Sequence, residues 1–335
     1  MQVTVIRPED LGPGEADLWA EFQRSSPVMS SPFLSLTFAQ AVGRSRPGAR
    51  VAVVEDGGQI AAFLPFELAS RKVAVPIGDP MNELQGFIGS AAPIDARAVV
   101  RKAGLRGWRF LHVPAEQDSL LPHCYDGTRV QCPVIDLAGG YQSYFSSRHR
   151  NSTKRIAEKR RALARQLGEV SLEWNSRRPA DLQKVIEWKT IKYGGARRLF
   201  ADRTAVRIVT ELAGSDHAAC QGVVSVLSAG EQAVAGNLGL LGPWGLIGWF
   251  LSYDVALSRF SPGTIMLFAL AEEAANRGIA RIDFGGGQDS YKFSLANASY
   301  PVAGGAVWAS RREQAARSLY RRLHAAAARA RRARS

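Results

Sequence analysis

The chain is poor in cysteine and shows no ordered set of metal-binding side chains. Its 335 residues include three cysteines, at positions 124, 132 and 220. Their spacing matches neither a disulfide framework nor a zinc site, so we expect free thiols, a reducing cytoplasmic setting and no bound metal. The five histidines share no common spacing, and no role follows for them.

Acidic residues are scarce in two segments, which therefore hold most of the positive charge. The formal net charge is +13. Residues 148–165 contain eight Lys/Arg and one acid, a net of +7, and residues 311–335 contain nine Arg and one Glu, a net of +8. These segments sum to +15, so the remainder carries −2. A nearly neutral body argues against a nucleic-acid surface over the whole molecule and favours local contact with phosphates, an acidic polymer or an anionic membrane.

A run that reads clearly as a membrane-spanning helix is also missing. The charge-free window at 232–253 has 22 residues, long enough to span a bilayer. Its centre, Gly242-Pro243-Trp244-Gly245, indicates two strands joined by a turn. The N-terminal residues show no basic region followed by an apolar core, so we predict no signal peptide. The expected location is the cytoplasm, with peripheral contact at the inner face of the membrane as an option.

The residues that are present predict an α/β protein with a mixed sheet and a repeated unit. Residues 53–63 and 226–236 are similar hairpin sequences at an offset of 173, and Gln-Asp-Ser recurs at 117–119 and 288–290, an offset of 171. Two matches in the same order at nearly the same offset indicate a duplicated unit. We predict an N-terminal half at 1–140, a C-terminal half at 141–310 and an Arg/Ala-rich basic tail at 311–335.

The stretch from residue 244 to residue 292 holds the most specific pattern. Residues 246–253 and 279–284 read as strands, and residues 265–276 between them read as a helix. Ser261-Pro262-Gly263-Thr264 has the signals of a helix start, and Gly278 those of a helix end. Unpaired N–H groups at such a start can bind a phosphate. Because the first half lacks this opening, we expect any ligand site in the second half.

Motifs of this second half resemble the CelD/BcsL-type acetyltransferases of the GNAT superfamily. The motifs are residues 249–254, 259–264 and 283–293, with further similarity at 188–189 and 32–35. The resemblance implies a tandem GNAT-like fold related to Fem-type aminoacyltransferases. It also implies acyl-CoA as the donor and a link to cellulose or other exopolysaccharide biosynthesis.

The predicted donor site is the start of the helix. It comprises Arg259, Ser261, Pro262, Gly263 and Thr264. The usual GNAT pyrophosphate loop is an Arg/Gln-x-x-Gly-x-Gly/Ala run, whereas here Arg259 precedes Gly263 by four residues and one glycine is present. This difference leaves an aminoacyl-tRNA or another acyl carrier open as the donor.

Five residues are predicted to take part in acyl transfer, which needs a base and groups that stabilise the oxyanion. Asp254 ends a strand and is a candidate base, with a helix N-cap as the alternative. Asp283 lies inside a strand, where a carboxylate needs a catalytic or structural partner. Lys292, beside Tyr291, resembles the aromatic-Lys pair that lies at the transfer site of Fem-type relatives. Tyr253 or Tyr291 is the candidate acid that protonates the leaving thiolate.

The predicted acceptor contacts are Trp188, Lys189 and Asp289. For Lys189 the alternative is a lysine on a solvated helix face. No Cys or Ser nucleophile motif is present, so direct transfer in a ternary complex is expected. The main hypothesis is an acyltransferase that moves an acetyl or longer acyl group from CoA to a sugar or amine. The alternatives are a Fem-type enzyme using aminoacyl-tRNA, and a non-catalytic scaffold docked on a polysaccharide synthase.

Overall fold

The structure, a computed structural model, describes residues 1–89, 94–121, 125–148, 150–192, 199–286 and 290–316. The strands in these residues are β1 (Gln2–Ile6), β2 (Ala49–Asp56), β3 (Gln59–Leu68), β4 (Val73–Pro76), β5 (Ile88–Gly89), β6 (Gly107–Pro114), β7 (Tyr125–Asp136), β8 (Val170–Glu173), β9 (Asp216–His217), β10 (Cys220–Ala229), β11 (Gln232–Gly242), β12 (Gly245–Tyr253), β13 (Arg281–Asp283) and β14 (Ala298–Trp308).

Helices alternate with these strands, as the predicted α/β class requires. The α-helices are α1 (Pro13–Arg24), α2 (Leu36–Ser45), α3 (Ala96–Lys102), α4 (Gly140–Ser146), α5 (Arg150–Leu167), α6 (Pro179–Lys192), α7 (Arg203–Ala213), α8 (Pro262–Asn276) and α9 (Ser290–Leu295). Short 3₁₀ helices lie at Pro8–Asp10, Val28–Ser30, Pro32–Leu34, Ser70–Lys72, Ala115–Leu120, Leu199–Ala201 and Val255–Phe260. No helix of the described residues is long and apolar enough to cross a membrane.

One compact unit consists of residues 1–26, residues 42–130 and, in the described part of the C-terminal segment, residues 301–316. Its sheet has the order β1-β2-β3-β4-β6-β14. Neighbouring strands are antiparallel except β4 and β6, which are parallel. The core is rich in aromatic side chains; Trp19 of α1 stacks on Phe63 of β3 with ring centroids 4.8 Å apart.

The second compact unit consists of residues 27–41 and 131–300. Its sheet has the order β8-β10-β11-β12-β13-β7. Neighbouring strands are again antiparallel except one parallel pair, β12 and β13. Helix α8 supplies much of the core, because Ile265, Met266 and Leu270 cluster with Leu246 of β12 and Ile282 of β13.

The strand orders of the two units repeat one plan, with the same number of strands in the main path and the parallel pair at the same place. This repetition confirms the predicted fold of tandem α/β units. Each half of the chain, however, gives its last strand to the other unit. β7 follows β6 along the chain but pairs with β13, whereas β14 follows β13 but pairs with β6.

This exchange makes the unit boundaries differ from the predicted halves 1–140 and 141–310. The division falls between residues 130 and 131, and the chain returns to the first unit at Pro301. Residues 27–41 belong with the second unit, where Phe33 packs on Trp249 with ring centroids 5.7 Å apart. The described part of the predicted tail, residues 311–316, belongs to the first unit, and residues 317–335 lie outside the description.

Local predictions agree with the structure except at a few ends. The charge-free window forms β11 and β12, joined by a turn at Gly242–Gly245 as predicted. The hydrophobic pattern of residues 146–167 predicts one helix, but this segment contains the end of α4 and all of α5. The hydroxyl of Ser147 donates to the carbonyl of Tyr144 at 2.6 Å. Such a bond to the backbone competes with helix continuation and accounts for the break.

Candidate functional site

The parallel pairing of β12 with β13 in the second unit is short. β12 and β13 pair at two positions, Leu246 with Ile282 and Ile247 with Asp283. The next residue, Phe284, donates its N–H to the carbonyl of Pro133 at 3.1 Å, beside β7. The edge of β12 that faces β13 therefore loses its partner beyond Ile247. The carboxyl ends of parallel strands are the usual place for a ligand in α/β folds.

Helix α8 starts close to the end of β12 without a side-chain cap. Ser261, the residue before it, has a left-handed backbone with φ 55° and ψ 51°, and its side chain does not bond to the helix N–H groups. Lys159 of α5 donates to its Oγ instead, at 2.6 Å. The predicted Pro262 occupies the first helical turn, where its missing N–H costs nothing.

Gly263 is required by close packing against β12. A Cβ added there would lie 2.9 Å from Cδ1 of Tyr253 and 3.8 Å from Cδ2 of Leu251. Tyr253, predicted as a catalytic acid, therefore lies against the predicted donor-binding turn. Thr264 follows on the same turn and is half-buried.

The equivalent helix of the first unit is built differently. There α3 follows β4 and precedes β6, as α8 follows β12 and precedes β13. Helix α3 has 7 residues against 15 in α8. The carboxylate of Asp95 caps it by accepting from the N–H groups of Arg97 at 3.0 Å and Ala98 at 3.1 Å. An anion cannot bind at a helix start whose N–H groups already bind a carboxylate. The start of α8 is therefore the better candidate for an anion-binding site.

Positive charge surrounds the start of α8. Besides Lys159, the exposed Arg259 lies in the preceding 3₁₀ helix. Its guanidinium donates to Oε1 of Gln166 at 2.7 Å and stacks on the ring of Phe260, 4.8 Å from the centroid. Two cations and an uncapped helix N-terminus fit a diphosphate group.

Asp254 occupies the position of an N-cap. Its side chain is half-buried, and its Oδ1 accepts the N–H of Ala256 at 2.9 Å at the start of the 3₁₀ helix Val255–Phe260. The carboxylate stands at the carboxyl end of β12, as the sequence predicts.

Asp283 is almost completely buried, with 1% of its surface exposed. Its Oδ2 accepts from Trp244 Nε1 at 2.9 Å and from the hydroxyl of Tyr300 at 2.7 Å, and its Oδ1 accepts from the N–H of Gly285 at 2.7 Å. Burial raises the pKa of this carboxyl, although the three donors and the charge of Lys292 oppose the shift. The carboxylate holds the glycine turn that follows β13, where Gly285 has a φ of 65°.

Lys292 and Tyr291 lie on α9, directly after that turn. The ammonium of Lys292 donates to the carbonyl of Phe284 at 2.8 Å, so it is fixed beside the end of β13. Tyr291 is 38% exposed and its neighbour Phe293 is 44% exposed. Asp289, the third predicted acceptor contact, lies outside the described residues.

Trp188 and Lys189 lie on the other face of β12. Lys189 donates to the carbonyl of Leu251 at 3.3 Å and lies 5.7 Å from the ring centroid of Phe250. Trp188 is half-buried, with the ammonium of Lys184 5.9 Å from its ring centroid. Helix α6 thus places both predicted residues along β12, opposite the face that α8 covers.

The sequence alone did not identify Lys159, Trp244 and Tyr300 as residues near the start of α8 or near Asp283. Lys159 was recognisable only as one cation of a basic segment. Trp244 and Tyr300 read as a turn and a strand residue, and only folding brings them to Asp283. In the described residues, no group of three or more His, Cys, Asp or Glu side chains is arranged to hold a metal.

The second unit is similar to a known enzyme domain. The model of the Acetyltransferase (GNAT) domain family matches residues 148–293, which include α5, β12, α8 and β13. A search of curated protein sequences gave no match.

Solved structures show the same fold at low sequence identity. L-PGS from Bacillus licheniformis is 12% identical, with a TM-score of 0.57, over 93% of this chain and 96% of that chain. FemX is 10% identical, with a TM-score of 0.57, over 91% of this chain and 96% of that chain. A tandem GNAT protein from the clavulanic acid biosynthesis pathway is 10% identical, with a TM-score of 0.51, over 92% and 98%. The chain therefore has a fold similar to that of tandem GNAT proteins, and its second unit is similar to a GNAT acetyltransferase domain.

Proposed function

We propose that the chain transfers an acyl group from acyl-CoA to an amine or hydroxyl, using the second unit. The observation that carries this proposal is the contrast between the two units. In the second unit, α8 starts without a side-chain cap, with Lys159 bonded to Ser261 and Arg259 in the preceding turn. In the first unit, Asp95 fills the equivalent helix start. The diphosphate of CoA would bind at Ser261, Pro262, Gly263 and Thr264, with Arg259 and Lys159 nearby.

Donor and acceptor are proposed to approach from the two faces of β12. The donor lies on the face covered by α8, and its thioester enters between β12 and β13. The acceptor lies on the face of α6, near Trp188 and Lys189, with Asp289 as a further contact. An acceptor in the class of envelope or exopolysaccharide precursors, including those of cellulose, follows from the resemblance to CelD/BcsL-type proteins.

The proposed reaction is a direct transfer. The acceptor nitrogen or oxygen attacks the thioester carbonyl carbon, the new bond forms, and the carbon–sulfur bond breaks. We assign the acceptor's proton to Asp254, because the oxygens of Asp283 already accept three hydrogen bonds in a buried site. Lys292 stabilises the oxyanion, and Tyr253 or Tyr291 protonates the leaving thiolate. Asp283 positions the glycine turn that leads to Lys292.

The test is calorimetric titration of acetyl-CoA into the wild type and two glycine variants. Gly263→Glu places a carboxylate at the proposed phosphate site and displaces Tyr253, so at least a tenfold loss of affinity is expected. Gly14→Glu is the matched control, because Gly14 also follows a proline in a first helical turn, α1, and has no atom near its Cβ position. A wild type that does not bind acetyl-CoA, or equal binding by Gly263→Glu, contradicts the site.

A second candidate donor is an aminoacyl-tRNA. The observation that favours it is an exposed basic stripe on α5, formed by Lys154, Arg161 and Arg165. No ion pair among the described residues engages these three side chains. FemX, whose structure has the same fold, bears the name of the Fem-type proteins. Salt-sensitive binding of tRNA without binding of acetyl-CoA would select this donor.

A non-catalytic scaffold remains the third proposal, with anionic membranes or a polysaccharide-synthesis complex as partners of the basic segments. Binding of acetyl-CoA without turnover on any offered sugar or amine would favour it over an enzyme.

A further inference from the structure

Asn237 is a buried amide without a hydrogen-bond partner. It lies on β11 with 0% of its surface exposed. Neither its Oδ1 nor its Nδ2 has a hydrogen-bond partner among the described residues. Other buried polar groups on the strands of the second unit are paired: the hydroxyl of Ser252 donates to the carbonyl of Val185 at 2.9 Å, and Asp283 accepts three bonds.

The side chain of Asn237 points to the face of the sheet that α8 covers. Asn237 is opposite Leu251 in the register of β11 and β12, so the two side chains share a face. Leu251 contacts the Cβ position of Gly263 in the first turn of α8. The neighbouring positions Gly236 and Ser252 face Val185 of α6 on the other side.

The backbone beside Asn237 is irregular close to the place where the pairing of β12 with β13 ends. The register of β11 and β12 shifts between Leu238 and Leu240. Gly239 lies in this bulge; its Cβ position is 3.2 Å from Nδ2 of Asn237 and 2.9 Å from the carbonyl of Ile247. Ile247 is the last residue of β12 that pairs with β13. Bulges often reorient side chains next to functional sites.

We infer that Asn237 is a specificity-determining residue that recognises a secondary amide of the acyl donor. A buried amide without partners loses the hydration of both polar atoms and recovers nothing from the fold. An amide ligand supplies one donor and one acceptor, which match the oxygen and the NH₂ group of asparagine. The inference rests on the proposed function, because the pantetheine arm of acyl-CoA carries such amides between its diphosphate and its thioester.

The experiment combines thermal unfolding and ligand binding for Asn237→Val. Valine suits a strand and removes both unpaired atoms, so the ligand-free variant should melt at or above the wild-type temperature. Its affinity for acetyl-CoA should fall at least tenfold. Its affinity for adenosine 3′,5′-bisphosphate, which has phosphates but no amide, should stay within twofold of the wild type.

Asn82→Val is the matched control. Asn82 is a buried asparagine of the first unit whose Nδ2 donates to Ile77 and whose Oδ1 accepts from Leu84, both at 2.9 Å. Its replacement should lower the melting temperature and leave acetyl-CoA affinity unchanged. If Asn237→Val melts well below the wild type, Asn237→Ala is titrated instead, and unchanged acetyl-CoA affinity in that variant overturns the inference.

The outcomes separate this inference from the proposed function. Equal affinity of wild type and Asn237→Val for acetyl-CoA overturns the role of Asn237 and leaves the donor assignment intact. An equal loss of affinity for the bisphosphate also overturns it, because the defect would then not concern the amides. A wild type that binds no acetyl-CoA contradicts the proposed function, and the inference falls with it.

Discussion

The carboxylate of Asp283 is buried with three donors around it, and this arrangement determines what the residue can do. Both oxygens are engaged by Trp244, Tyr300 and Gly285. Asp254, by contrast, is half-buried at the end of β12 and uses one oxygen as a cap. The two aspartates that the sequence presents as alternatives thus have different surroundings, and we assign positioning to one and proton transfer to the other.

The first prediction concerns the pH dependence that Asp283 gives to stability. Because burial raises its pKa above 3.8, the folded state binds the proton more tightly than the unfolded state does. The contribution of Asp283 is therefore most favourable at acidic pH and declines as pH rises through the raised pKa. In Asp283→Asn this decline is absent. In this variant, one of the buried donors around residue 283 also loses its acceptor. At the acidic end of the pH range, the variant should therefore be less stable than the wild type by about 1–3 kcal/mol.

Urea denaturation of both proteins from about pH 4 to about pH 7 measures this difference. The stability advantage of the wild type should shrink with rising pH. Parallel profiles would contradict the raised pKa.

Loss of acyl transfer with unchanged acetyl-CoA affinity in Asp254→Asn would support the division of roles between Asp254 and Asp283.

At the scale of elements, the starts of the equivalent helices α3 and α8 differ in how their backbone N–H groups are capped. Asp95 caps α3, whereas the hydroxyl oxygen of Ser261 accepts a hydrogen bond from Lys159 and α8 has no side-chain cap. The sequence predicts a helix start at both places, because Asp, Ser and Pro are common there. It does not reveal the left-handed backbone of Ser261.

The second prediction compares alanine substitutions at these two positions. Asp95→Ala removes a cap and should cost about 1 kcal/mol of stability. Ser261→Ala removes only the half-buried contact with Lys159, so its cost should be less than about 0.5 kcal/mol. Denaturation curves of both variants provide the comparison. A larger loss for Ser261→Ala would mean that its hydroxyl caps α8 after all.

At the scale of the whole molecule, each unit is completed by a strand from the other half of the chain. β14 joins β6 through residues Val302 to Trp308, and β7 joins β13 through Val134 to Asp136. The exchange satisfies the backbone groups of β6 and β13, which would otherwise be exposed sheet edges. It also ties the C-terminal part of the chain to the unit that lacks the proposed site.

The third prediction is that truncation after Tyr300 weakens the first unit selectively. The truncated chain keeps the Tyr300–Asp283 bond but loses the part of β14 that pairs with β6. Hydrogen exchange should therefore accelerate most in Gly107–Pro114, by at least tenfold, while β10 and β11 stay protected. The intact chain is the reference. Faster exchange in β10 and β11 to the same extent would show that the second unit also depends on this segment.

The basic segment at residues 148–165 has a charge that the sequence shows and a distribution of that charge that only the fold shows. The charge of residues 148–165 is evident from the sequence, but its distribution is a matter of tertiary structure. Helix α5 directs Lys159 toward Ser261 and leaves Lys154, Arg161 and Arg165 exposed. One segment thus supplies both a cation bonded to Ser261 and an exposed basic stripe.

The sequence by itself determined the α/β class, the repeated hairpins, the turn at Gly242–Gly245 and the helix that begins near Pro262. These features depend on periodicity, turn residues and caps, which act over a few neighbouring residues. Tertiary structure alone decided the strand exchange, the partners of Asp283 and the burial of Asn237. The physical reason is that an alternating strand fits either sheet edge, and a polar side chain fits many environments. Only pairing between residues far apart in the chain selects one of them.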